Sequence, residues 1–140
     1  EVVSLESSVV QSLITNHQPQ NSSADWTIYH NPRCSKSREA LALLKDNGIM
    51  PKVVEYLKDT PTRKELELLV MELDIPAVEL VRKGEALYKD KFKGLELHEH
   101  EWIRVMHENP VLIERPVVVR GHTAVIGRPT ENVQELIDKK

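Results

Sequence analysis

The spacing of apolar positions changes along this chain, and each change marks an element. Residues 26–30 (WTIYH) alternate bulky and polar side chains in a β-prone run, which predicts a strand. Residues 35–47 are rich in Ala, Leu, Lys and Glu and stop at Gly48, the residue type that most often follows a helix, so a helix is expected there. Residues 51–56 (PKVVEY) read as a second strand. Strand, helix and strand in this order form a β-α-β unit, with a parallel pair and a right-handed crossover.

The period then becomes helical. Thr62 and Glu65 match a capping box, and Leu66, Leu69, Val70 and Leu73 follow at helical spacing. Pro76 is expected to open a short helix that stops at Gly84. A third helix over 98–108 places Trp102, Ile103 and Met106 on one side and ends before Pro110. Residues 60–110 therefore read as a helical insert. Strand character returns at 116–120 (PVVVR), Gly121-His122 fits a two-residue hairpin turn, and 123–126 forms the returning strand. Thr130 is expected to cap a last helix carrying Val133, Leu136 and Ile137. The order predicts an α/β sandwich of the thioredoxin (glutaredoxin) type, its middle connection expanded by helices.

Composition narrows the picture. A chain of 140 residues suits one compact domain, and 40% hydrophobic with 29% charged residues is ordinary for a globular protein. A formal net charge of −3 leaves no basic surplus for neutralising phosphates, so no nucleic acid is expected as partner. No apolar stretch approaches membrane-spanning length, and no membrane association is expected. Residues 1–25 stand apart. Val2, Leu5, Val9 and Leu13 are loosely helical in spacing, and 16–25 (NHQPQNSSAD) is polar and linker-like. The segment lacks the basic start and dense apolar run of a secretory signal and the arginines of a mitochondrial presequence. It is read as a flexible leader without a catalytic role, followed by a single domain over 26–140, and the expected location is cytoplasmic.

The chemistry concentrates on Cys34, the one cysteine of the chain, in the segment HNPRCSKSR at 30–38. One cysteine cannot form an internal disulfide. This one lies between the first strand and the first helix, where open backbone N–H groups and the helix dipole favour negative charge. Arg33, Lys36 and Arg38 add positive potential. Such surroundings lower a thiol pKa from about 8.5 into roughly the 3.5–7.5 range, and the same N–H groups can hold an anion against the sulfur. A buried structural cysteine is the alternative, but Asn31, Pro32, Arg33, Ser35, Lys36 and Ser37 do not build a core. His98, His100 and His107 alternate with Glu96, Glu99, Glu101 and Glu108; this run reads as a polar helix face, and no metal is expected.

Linked segments in a fixed order resemble the ArsC family of glutaredoxin-coupled arsenate reductases, especially its chromosomal, arsenate-reductase-like branch. They are IYHNP at 28–32 before the cysteine, TPT at 60–62, LVRK at 80–83, NPVLIERP at 109–116 and GRP at 127–129. The resemblance spans residues 27–137. It implies that Cys34 is the nucleophile toward an oxyanion, that Arg82, Arg115 and Arg128 surround that anion, and that His30 and Ser37 tune the thiolate. It also implies that the Arg115–Pro116 bond is the cis-proline position facing the cysteine. From the residues themselves, Asn31, Arg33 and Ser35 are expected in the loop that binds the oxyanion.

From the residues alone, the Ser37 hydroxyl lies one helical turn from Cys34 and is expected to donate to the thiolate. His30 acts either as a cation or donor near the sulfur or as a structural histidine bonded to the loop. The activity implied by the resemblance is reduction of arsenate to arsenite. The resemblance likewise implies glutathione as co-substrate and glutaredoxin as recycling partner, and no tightly bound cofactor is expected. Ser35-Lys36 departs from the plasmid-borne arsenate reductases, which carry a smaller, uncharged pair there. A glutathione-dependent thiol oxidoreductase acting on another substrate therefore stays open. A regulator that binds RNA polymerase and senses oxidants through C-x-x-C is a further alternative of similar fold, but Ser37 stands where its second cysteine would be.

Overall fold

The computed structural model describes residues 25–139. The expected leader, apart from residue 25, lies outside the described residues. Strand β1 (Trp26–Tyr29) pairs in parallel with β2 (Lys52–Val54) through helix α1 (Ser35–Asp46). Strands β3 (Val117–Arg120) and β4 (Thr123–Ile126) form an antiparallel hairpin, and β3 pairs antiparallel with β1. The sheet order is β2-β1-β3-β4. This mixed sheet flanked by helices is the thioredoxin-like sandwich expected from the order of elements.

The alternation along the strands explains the layers. Trp26, Ile28 and Val118 face Ala40 and Leu44 of α1, together with Val133 and Leu136 of the last helix, α5 (Glu131–Asp138). Val117, Val119 and Ala124 face the opposite side, where the insert covers them with α2 (Arg63–Leu73) and α4 (Glu99–Glu108). Between these two helices lies the short α3 (Ala86–Lys91). Gly48 takes φ 77° after α1, and Gly121 takes φ 62° in the hairpin turn, conformations that a side chain disfavours. The capping box at α2 is present in full: Glu65 N–H donates to Thr62 Oγ1 at 3.1 Å, and Thr62 N–H donates to Glu65 Oε1 at 2.8 Å.

Three details of the expected pattern change. The helix predicted from Pro76 to Gly84 is a 3-10 turn over Ala77–Leu80, after which Val81 runs extended and bridges Ile113. Leu80 and Val81 are both buried, and the pairing of Val81 with Ile113 holds the backbone extended where the helical turn would otherwise continue. α3 was not predicted. Thr130 does not cap α5 with its side chain, because its hydroxyl turns to Glu39 at 3.2 Å.

The end of β4 packs closely on the loop before β3. Gly127 N–H donates to Pro116 O at 2.8 Å, and a Cβ at Gly127 would lie 2.9 Å from Pro116 Cγ and 3.1 Å from Val133 Cγ2. Gly127→Ala is therefore expected to destabilise the fold by about 1–3 kcal/mol, the usual range for overpacking a tight site. Denaturant unfolding of the two proteins measures it.

Candidate active site

The site forms where the ends of β1 and β2 meet the start of α1. Cys34 is the N-cap of α1, with φ −98° and ψ 125°. Its N–H donates to Asn31 O at 3.0 Å, and its carbonyl accepts Arg38 N–H at 3.0 Å, closing the first helical turn. The thiol thus meets the open amides of that turn. Burial pushes the Cys34 thiol up. Hydrogen bonds from the Ser37 and Lys36 backbone and the charges of Arg115 and Arg128 outweigh burial, and its pKa falls below the ordinary thiol value. Alkylation rate against pH should accordingly rise to its plateau with a midpoint below that of an unperturbed cysteine thiol measured under the same conditions. A midpoint at or above that value would contradict the electrostatics.

Arg115 and Arg128 come to the sulfur from the other half of the fold. Each precedes a proline, and both peptide bonds, Arg115–Pro116 and Arg128–Pro129, are cis. Arg128 Nη2 lies 3.4 Å from Cys34 Sγ, and Arg128 Nε donates to Arg115 O at 2.7 Å. Arg115 is 8% exposed, and its Nε and Nη1 are buried without a hydrogen-bond partner among the described residues. Arg82 is positioned by the bridge beside Ile113, its N–H donating to Leu112 O at 2.7 Å. Its guanidinium is turned to Glu85, 2.9 Å away.

The loop residues divide. His30 and Ser37 are buried and joined, Nδ1 to Oγ, at 2.6 Å, while Asn31 N–H donates to the same Oγ at 2.9 Å. The contribution of residue 37 to the sulfur comes from its backbone N–H, whereas its hydroxyl turns toward the end of β1. This corrects the expectation that the hydroxyl donates to the thiolate. Burial pushes the His30 pKa down, with Glu55 opposing and Arg38 and Lys45 adding to the shift, so the ring is neutral near pH 7. Of its two expected roles the geometry favours the structural one, since His30 holds the loop through Ser37. Asn31 Oδ1 accepts Arg33 N–H at 3.0 Å, and Arg38 Nη1 donates to Pro32 O at 2.9 Å. Arg33 and Ser35 stand exposed on the rim.

Two residues at the site were missed. Tyr56 is 1% exposed and hydrogen-bonded to the Asn31 side chain, within electrostatic reach of Arg115, Cys34 and Arg82. Burial, the largest influence, holds its pKa at about 12, so the phenol keeps its proton. The signal available was positional: residue 56 follows the strand parallel to β1 and so emerges at the same sheet edge as the cysteine loop. Glu114, beside Arg115 in sequence, lies 3.5 Å from Arg128 Nε. Nothing at sequence level connected it to residue 128.

Among the described residues no three His, Cys, Asp or Glu side chains converge to hold a metal. His107 Nδ1 instead meets Pro61 O at 2.9 Å, and the His98 and His100 rings stack 5.9 Å apart. No helix among the described residues is long and apolar enough to cross a membrane.

Fold and site together define a thioredoxin-like protein organised for thiol redox chemistry on a single cysteine. The profile of the ArsC family matches residues 29–136, and the chain belongs to this family of arsenate-reductase-type oxidoreductases. It is 48% identical over 114 residues to the uncharacterized protein YfgD of Escherichia coli K12, covering 79% of this chain and 94% of the relative. It is 43% identical over 112 residues to the arsenate reductase of Haemophilus influenzae, covering 79% and 97%. The solved structure of an arsenate reductase from Vibrio cholerae superposes with a TM-score of 0.75 at 45% identity, covering 81% of this chain and 96% of that one.

Proposed function

We propose that this protein reduces arsenate to arsenite through a covalent Cys34 adduct, with glutathione as resolving thiol and glutaredoxin as recycling partner. The observation that carries the reading is Arg115, buried beside a thiol of lowered pKa with two N–H-bearing nitrogens that have no hydrogen-bond partner among the described residues. Buried donors without partners are costly, on the order of 1–3 kcal/mol each, and a tetrahedral oxyanion supplies the missing acceptors. Repulsion between a thiolate and an oxyanion is the obstacle that guanidinium charges remove.

In the first step Cys34 Sγ attacks arsenic, an S–As bond forms, and one arsenate oxygen leaves as water after taking up protons. The glutathione thiolate then attacks Sγ. A sulfur–sulfur bond forms, and the electron pair of the S–As bond stays on arsenic, which is thereby reduced by two electrons and released as arsenite. A glutaredoxin dithiol exchanges with the mixed disulfide and restores the Cys34 thiol. A single cysteine requires this external completion.

The test is a coupled assay following NADPH consumption by glutathione reductase in the presence of glutathione, glutaredoxin and arsenate. Arsenate-dependent consumption is expected. Glutathionylation of Cys34 with no arsenate dependence would instead support a thiol oxidoreductase with another substrate.

A further inference from the structure

Glu114 is the site residue that the thiol chemistry leaves without a task. Its position is built: its N–H donates to Leu80 O at 2.8 Å, and the Val81–Ile113 bridge fixes the segment just before it. Its Oε1 accepts Arg115 N–H at 3.2 Å and lies 3.5 Å from Arg128 Nε and 3.9 Å from Arg115 Nη1. The side chain is only 25% exposed. A carboxylate here competes with an incoming anion for the guanidinium groups that would bind it. Arg82 is occupied in the same way by Glu85. Once Cys34 ionises, the guanidinium charges of Arg115 and Arg128 face the Glu114 carboxylate and a sulfur anion, so this group is close to neutral.

We infer that Glu114 selects the charge of the oxyanion, favouring singly charged tetrahedral anions over doubly charged ones. The inference rests on the oxyanion reading above. Its physics is simple, because the repulsion from one fixed carboxylate scales with the charge of the ligand. A dianion feels twice the penalty of a monoanion in the same place. Removing the carboxylate charge therefore multiplies dianion affinity by the square of the factor for a monoanion. A merely structural role, such as holding Arg128 in line, would change both affinities together.

The experiment measures protection of Cys34 from iodoacetamide by three anions at one pH and constant ionic strength. Arsenate tests the oxyanion reading itself; sulfate and methanesulfonate are tetrahedral probes of fixed double and single charge. In Glu114→Gln, protection by methanesulfonate should tighten about 3-fold and protection by sulfate about 10-fold, for a partly screened charge several ångströms away. Equal gains for the two probes, or none, overturn the inference, as does protection by arsenate with neither probe protecting either protein. Failure of arsenate to protect the wild type would instead remove the oxyanion reading. Glu114→Ala repeats the measurement should the glutamine variant not fold.

Discussion

Cys34→Ser should leave a folded protein with no measurable arsenate reduction, a loss of more than about 10³-fold. The two halves of this expectation come from the same position. Cys34 is the N-cap of α1 and makes no side-chain capping bond. Serine is among the preferred N-cap residues, so the variant should be as stable as wild type or more stable by up to about 1 kcal/mol. Chemically the exchange removes everything that matters. The backbone amides and arginines that lower the thiol pKa cannot bring an alcohol into its anionic form near neutral pH, and an oxygen cannot form the mixed disulfide that glutaredoxin must open. Thermal unfolding, the coupled assay and mass detection of the glutathione adduct check the three parts. Retained turnover at saturating glutathione would sink the covalent mechanism.

What could be read from the chain follows the reach of local rules. The β-α-β and β-β-α halves were legible because alternation, the Gly48 stop and the Gly121 turn are properties of a few adjacent residues. The stretch around 76–97 was not. Its shape is decided by Val81 pairing with Ile113, a partner 32 positions away, and by α3, which has no buried residue to give it a period. The site divides along the same line. Cys34 and its helix N-terminus are local features, and Arg115 and Arg128 are marked by the prolines that follow them. The direction of a side chain is not marked. Ser37 looked free to face the sulfur, yet its hydroxyl turns to His30 and Asn31, and only its amide serves the thiol. Tyr56 and Glu114 acquire their positions through neighbours distant in sequence, which single-chain periodicity does not encode.

The second large effect is expected at Arg115. Arg115→Gln should lower kcat/KM for arsenate by about 10²–10³-fold, the range for losing one preorganised donor group at a site of developing charge. It should also raise the midpoint of Cys34 alkylation, because the Arg115 charge is one of the influences that lower the thiol pKa. Stability should move the other way from the usual loss of a buried charge. Arg115 keeps Nε and Nη1 buried without a hydrogen-bond partner among the described residues, and the Glu114 carboxylate stands 3.9 Å from Nη1. Deleting donors whose hydrogen bonds are unmade relieves a desolvation penalty of about 1–3 kcal/mol each, so the ligand-free variant should melt no lower than wild type. Arsenate should then raise the melting temperature of the wild type by mass action and leave that of Arg115→Gln nearly unchanged. A variant that loses stability yet keeps its arsenate shift would place Arg115 in the scaffold and take the anion elsewhere.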